Sequence, residues 1–453
     1  MLSGCSDDKG QPPTQKDSFA PGADGAGDPY FPTYGNGGYD VAGYDLKLRY
    51  DPASGKLAGS ATVTATATQD LSSLNFDLAH LAAGKVTVDG QAATGRAEKN
   101  ELVVTPAAGI AKGKAFTVVV EYSGVPEALN NDALGVGGWL RTDGGGFALG
   151  QPESASTWFP VNDHPKDKAT FKLAMTVPEG VEAISNGVPG ERATAGGWTT
   201  WRWSEQKPMA SYLATVVIGQ YRITSSTHAG KPMIIAIPES LPANGPAARS
   251  LARTGEIADF LATQFGPYPF DAYGGVVIDD ARVGYALETQ SRPVYGNVFF
   301  RTSRNPTVVA HELAHQWYGD SVALERWQDI WLNEGFATYA EWLWQEHTGE
   351  RTAQQAFDRA YRGFDWQVPT GDPGADRIFG EAVYQRGAMV VHALRRTIGD
   401  EAFFALLKKF PADHRDGNAT TDDLITAAEQ VSGKDLGDFF QTWLFSTTAP
   451  PQP

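Results

Sequence analysis

The hydrophobic period of this chain changes once, and that change limits its architecture more than any other feature. From residue 30 to about 225, apolar residues recur at every second position. Tyr44, Leu46, Leu48 and Tyr50 do so first, then Leu74, Phe76 and Leu78, then Phe171, Leu173, Met175 and Val177. Side chains alternate between the two faces of a strand, so this pattern specifies strands with one buried face. Val63 in a Thr/Ala alternation and the β-rich run 116–122 extend it, with Gly and Pro marking the turns. After 226 the period becomes helical, and 246–265, 306–318, 331–347, 381–398, 401–410 and 422–431 read as helices. A strand core at 276–278 lies between the first two. At 453 residues the chain exceeds what one hydrophobic core usually serves. The expectation is an α+β protein of two domains: an antiparallel β domain at 30–225 and a mostly helical domain at 226–453. Residues 6–29, rich in Gly, Pro, Asp and Ser, read as a flexible tether within a leading segment 1–29.

Charge and composition remove several functional classes. A formal net charge of −16 disfavours nucleic acid, whose binding depends on neutralising phosphates, and leaves no basic face for anionic lipid. No apolar run approaches the ~18 residues of a membrane helix. The single cysteine, Cys5, rules out an internal disulfide and a cysteine-built zinc knuckle. A metal in this chain must therefore be held by histidines and carboxylates. No G-x-S-x-G elbow, Walker A lysine or dinucleotide fingerprint is present.

His311-Glu312-Leu313-Ala314-His315 supplies such a set. On a helix, residues four apart lie one turn apart on one face, so His311 and His315 can ligate one zinc ion. Glu312, about 100° round the same helix, reaches a water without joining the ligands. Asn305 suits the N-cap, Pro306 the first helical position, and Val308, Val309, Leu313 and Trp317 the buried stripe. Eighteen residues after His315 comes Glu334, far enough on for one helix to end and an antiparallel one to return the carboxylate to the imidazoles. Two histidines, a glutamate and an open fourth position make a catalytic zinc set. Glu341, two turns beyond Glu334 on the same helix, can accept the second N–H of a ligating imidazole, or can be a solvated helix acid.

These segments resemble the gluzincin aminopeptidases of the aminopeptidase N and leukotriene hydrolase type, through His311–Asp320 (HELAHQWYGD) and Trp331–Ala337 (WLNEGFA). Tyr384-Gln385-Arg386-Gly387-Ala388 looks like the family's Tyr-x-x-Gly-Ala, which implies that Tyr384 supports the oxyanion. Tyr285-Ala286-Leu287-Glu288-Thr289 sits where the family has Gly-Ala-Met-Glu-Asn. Gln151-Pro152-Glu153 and the following Trp158–Pro165 look like its Gln-x-Glu segment and Phe-Pro run. The resemblance, over about residues 30–445, implies a saddle-like β domain followed by a thermolysin-like zinc peptidase domain, without the family's large helical C-terminal domain. It implies Gln151, Glu153, Ala286 and Glu288 as substrate-binding residues, with the two glutamates holding the free α-ammonium of a peptide. Tyr285 and Thr289 replace glycine and asparagine, and the 151–160 segment is two residues shorter than the usual form, which bears on subsite shape.

Leu2-Ser3-Gly4-Cys5 resembles a bacterial lipobox, which implies a lipid on Cys5 and an extracytoplasmic, membrane-anchored or secreted protein. The alternative is a chance match in a cytosolic one. The expected activity is a zinc-dependent aminopeptidase acting on peptides with a free N-terminus. A thermolysin-type endopeptidase lacks the amine-holding acids, and an inactive binding protein of the same fold would normally have lost Glu312, a ligand or Tyr384.

Overall fold

The computed structural model describes residues 19–131 and 135–452. Alternating residues of the first half face inward as the period requires: along Tyr39–Asp51, Tyr44, Leu46, Leu48 and Tyr50 are all buried. Its strands build a 12-stranded sheet and a five-stranded sheet. Among the described residues, pairing there is antiparallel apart from two contacts. Tyr39–Asp51 runs parallel to Lys168–Pro178, and Ala20–Pro21 parallel to Leu71–Asp77.

Two boundaries differ from the sequence expectation. Tyr221–His228 is one continuous strand that pairs with Lys231–Pro238, which in turn pairs with Tyr273–Ile278. The division expected at 225 would cut this strand, so the second unit begins near Tyr221. Residues 19–29, expected as part of the tether, are held in place. Besides the Ala20–Pro21 pairing, Asp28 is buried, and its carboxylate accepts hydrogen bonds from the backbone N–H groups of Tyr30, Phe31 and Trp327 while contacting His164 Nε2 at 3.1 Å. Low hydrophobicity concealed this because the segment is fixed by hydrogen bonds rather than by apolar burial. Trp327 belongs to the second unit and His164 to the first, so Asp28 pins the two together. Lys168 adds a second pin: its ammonium donates to the carbonyls of Asp320 and Ser321, both at 2.8 Å, and of Gly417 at 3.2 Å.

The second unit carries a mixed five-stranded sheet, ordered Tyr221–His228, Lys231–Pro238, Tyr273–Ile278, Val294–Gly296 and Ala286–Leu287, with helices around it. The run 246–265 is broken at Ala252–Arg253 into Pro246–Leu251 and Thr254–Phe265. The helix expected over 306–318 closes at Ala314. The chain then tightens into turns that end at Gly319, whose φ of +135° no other residue adopts readily. Trp331–His347 and Glu381–Ile398 form as expected.

Those two helices cross at a pair of glycines. A Cβ on Gly335 would lie 2.9 Å from the backbone carbon of Gly387, and one on Gly387 would lie 2.8 Å from the Gly335 Cα. Glycine inside a helix costs about 1 kcal/mol relative to alanine, and here that cost permits backbone-to-backbone contact. Arg386, fully buried beside the crossing, donates to the carbonyls of Trp443, Val368 and Ser446 and ties the last helix, Gly437–Phe445, to the same point. Gly387→Ala is therefore expected to lower the free energy of unfolding by about 1–3 kcal/mol through overpacking. Urea denaturation of both proteins measures this, and an unchanged midpoint would show that the helices separate without cost.

Candidate active site

Asn305 caps Pro306–Ala314 as its sequence suggests, its side chain accepting from Val308 N at 3.3 Å. The helix brings the imidazoles of His311 and His315 to a centroid separation of 4.9 Å. The returning helix Trp331–His347 delivers Glu334 to both of them: its Oε2 lies 3.3 Å from His311 Nε2 and 3.4 Å from His315 Nε2. Donor atoms of the three residues all fall within 4.8 Å of one another. The far nitrogens are engaged as well. His311 Nδ1 lies 2.7 Å from Glu341 Oε1, and His315 Nδ1 lies 3.0 Å from the Tyr318 carbonyl. With acceptors at both Nδ1 atoms, the rings can present both Nε2 lone pairs to a metal, the tautomer it requires. Glu341 thus contacts the His311 ring rather than projecting freely into solvent.

The electrostatics of the cluster ask for positive charge. Burial pushes Glu312 up to about 8, with Glu288 and Glu334 reinforcing the rise and the imidazoles opposing it. Burial alone would lower His315. Glu334 and Glu288 outweigh it and hold the imidazole at about 9. A divalent cation meets the same demand, and two imidazole nitrogens with one carboxylate oxygen fit Zn²⁺ with one side left open.

That open side faces a cavity of about 270 Å³, bordered by Gln151, Tyr285, Ala286, Glu288, Glu312 and Tyr384. Tyr384 stacks near His311, ring centroids 6.0 Å apart. Burial first, and the surrounding carboxylates after it, keep its hydroxyl protonated. Ala286–Leu287 is the outermost strand of its sheet, so among the described residues one of its edges has no strand partner. Phe299 and Val308 supply apolar wall. A larger cleft of about 1130 Å³, bordered by Arg141, Tyr221, Asp279 and Arg282, contains none of the metal-site residues.

Of the two expected amine-holding acids, only Glu288 faces the cavity. Glu153 does not border it. After Gln151 the chain turns into the short helix Ala155–Thr157, and the N–H groups of Ser154 and Ser156 bond to Asp163. Glu153 follows this turn into the β domain, where it neighbours Tyr34 and Asp163 and burial pushes it up to about 8. The expectation of paired glutamates is corrected to one glutamate accompanied by Gln151, whose Nε2 donates to Glu288 Oε1 at 3.2 Å. Tyr285, which takes a glycine's place in the motif, reaches across the domain junction and donates to the Val136 carbonyl at 3.0 Å. Two contributors escaped the sequence reading. Gln316, inside the HELAHQW string, donates to the Glu288 carbonyl at 2.9 Å and accepts from Ser291 N at 2.7 Å. Tyr212 donates to Glu288 Oε1 at 2.9 Å. Nothing in the spacing near Tyr212 marks it.

Comparison with known proteins places these features in context. The peptidase family M1 domain matches residues 250–443, and the peptidase M1 N-terminal domain matches residues 41–213. Aminopeptidase M1-B of Oryza sativa subsp. japonica is 29% identical over 442 residues, covering 88% of this chain and 49% of its own length. Aminopeptidase N of Lactobacillus delbrueckii subsp. lactis is 27% identical over 440 residues, covering 88% of this chain and 50% of its own. The chain thus spans about half the length of these curated relatives. Among solved structures, an M1 zinc metallopeptidase from Deinococcus radiodurans is 30% identical with a TM-score of 0.85, covering 95% of this chain and 98% of that one. A variant of the Deinococcus enzyme bound to a Tyr-Ser-Ala substrate superposes with a TM-score of 0.87 at 29% identity, covering 95% of this chain and 99% of that one.

Replacing His315 with alanine is expected to abolish stoichiometric zinc. Glu341→Ala should keep one zinc per chain but hold it about 10–100-fold more weakly, because the His311 ring loses its orienting acceptor. Competition against a chelating dye measures both, and a His315→Ala protein with full zinc would overturn the ligand assignment.

Proposed function

This chain belongs to the peptidase M1 family, and we propose that it is a zinc aminopeptidase that removes residues one at a time from the free N-terminus of peptides. The observation that carries this reading is the placement of Glu288, a buried carboxylate, in the same small cavity as the His311–His315–Glu334 set. Zinc held by those three residues supplies Lewis acidity, polarising a carbonyl and lowering the pKa of water.

The remaining steps belong to the chain itself. Glu288 pairs with the substrate's α-ammonium, and the Gln151 side chain sits beside it as a further polar partner. The open edge of Ala286–Leu287 receives the peptide backbone as an added strand. An extended peptide advances about 3.3 Å per residue, so an ammonium fixed beside the metal residues leaves space for one residue before the scissile carbonyl. Glu312 accepts a proton from the attacking water and delivers it to the departing amine nitrogen. Its burial favours the proton-holding role between the two transfers. The Tyr384 hydroxyl donates to the carbonyl oxygen as negative charge develops there. An endopeptidase would need room for chain on the amine side of the metal, where Glu288, Gln151 and Tyr285 line the cavity.

Incubating a defined decapeptide and following products by mass spectrometry should reveal a ladder of N-terminal losses. The N-acetylated form should react about 10²–10³-fold more slowly, because it leaves the buried Glu288 charge unmatched. Dominant internal cuts, or equal rates for the two peptides, would replace this reading with the endopeptidase one. Within the same assay Glu312→Gln should retain zinc and lose nearly all turnover. Tyr384→Phe should lower kcat by about 10²–10³ with KM little changed.

We further propose that the protein acts outside the cytoplasm on a lipid anchor at Cys5, a position that lies outside the described residues. The lipobox-like Leu2–Cys5 run supports this. Metabolic labelling with a fatty acid should mark the parent and not Cys5→Ser; an unlabelled parent in the soluble cytosolic fraction would end the idea.

A further inference from the structure

We propose that Tyr212 is a positioning residue for Glu288, aiming the carboxylate that receives the substrate's ammonium and tying that aim to the seating of the β domain. The inference rests on the amine-holding role given to Glu288 above. Tyr212 lies in the short helix Ser211–Leu213 on the β-domain side of the junction and is buried at 1% exposure. Its hydroxyl donates to Glu288 Oε1 at 2.9 Å, and Gln151 Nε2 donates to the same oxygen at 3.2 Å. Both donors come from the β domain, and both end on Oε1. The rotation of the carboxylate about its own axis is thereby fixed, and neither donor occupies Oε2.

Tyr212 is itself held from several directions. The Ser211 hydroxyl donates to Asp163 Oδ1 at 2.8 Å, and the Ala214 N–H closes the turn on the Ser211 carbonyl at 3.0 Å. The phenol ring packs on Trp327 with centroids 5.4 Å apart. Trp327 N–H donates to Asp28 Oδ2 at 2.8 Å, the oxygen that also meets His164. A continuous set of contacts thus runs from the pin between the domains, through an indole and a phenol, to one oxygen of Glu288. A tyrosine present only for packing would need the ring against Trp327 but not a hydroxyl directed at a buried carboxylate. Burial also keeps that hydroxyl protonated, so it remains a donor.

Tyr212→Phe separates the two roles because it keeps the ring and removes the oxygen alone. In the zinc-loaded enzyme, KM for free-amine aminoacyl amides should rise about 10–100-fold, the scale of one lost hydrogen bond to a charged group. kcat should stay within a few-fold, and zinc content should be unchanged. Calorimetric titration with a free amino acid product should weaken in parallel, while its N-acetyl derivative should bind both proteins alike. An unchanged KM, or an equal loss for acetylated and free ligands, would overturn the role of Tyr212. Glu288→Gln, measured alongside, isolates the premise. If that variant keeps full preference for free amines, the amine-holding reading itself fails. If it loses the preference while Tyr212→Phe retains it, only the positioning role falls. In the double variant the two KM effects should combine to less than their product, because both act on one contact.

Discussion

The catalytic geometry depends on two helices touching backbone to backbone at Gly335 and Gly387. Glu334 immediately precedes the first glycine, and Tyr384 lies one turn before the second. Helices with ordinary side chains at their contact stand 8–10 Å apart, and at that spacing Glu334 and Tyr384 would not both face the His311 and His315 rings. The same crossing sets the direction of Trp331–His347, which carries Glu341 two turns on to the outer nitrogen of His311. One close contact between small residues thus fixes a metal ligand, an outer carboxylate and a hydroxyl donor. Arg386, next to Gly387, donates twice to the Trp443 carbonyl of the final helix.

Around that frame the site concentrates charge that the interior of a protein does not tolerate unpaired. Glu288, Glu312 and Glu334 are all buried, at 2–4% exposure, and share one volume with two imidazoles. Isolated, each carboxylate would take up a proton rather than remain charged in so dry a place. On the function proposed above, a divalent cation on the histidine side and a substrate ammonium on the Glu288 side would balance that charge. The acids are therefore best read as one half of an ionic arrangement that the metal and the substrate complete. On the same proposal, an uncharged terminus would leave one carboxylate without its partner.

Much of this was legible in the sequence, and what was not has a physical reason. Period two and period 3.6 gave the two units, and the spacing of His311, His315, Glu334 and Glu341 gave a set that the fold brings together. These succeed because helical geometry converts separation along the chain directly into direction. Glu153 failed because it stands in a loop, where the same conversion does not exist. The turn that buries Ser154 and Ser156 over Asp163 carries it away from the cavity. The held segment at 19–29 was missed because a few hydrogen bonds from Asp28 fix it without an apolar pattern. The boundary near Tyr221 was displaced because Tyr221–His228 is a strand like those before it, and its sequence does not say which sheet it joins. Tyr212 was invisible for the plainest reason: its partner lies 76 residues away, and only the folded chain brings them together.

The same contact ties the β domain to the cavity. The metal residues all come from the second unit, so a zinc site by itself asks nothing of the first. The amine side of the cavity does. Gln151 and Tyr212 cross the junction to one oxygen of Glu288, and Tyr285 returns the contact by bonding to Val136. On the function proposed above, the metal residues lie in one unit, while the amine side of the cavity is built at the seam between two. Buried polar contacts of this kind are unforgiving of misplacement, because a donor withdrawn from a desolvated carboxylate has no water to replace it. The pins at Asp28 and Lys168 keep the seam closed to the accuracy those hydrogen bonds need. Neither borders the cavity.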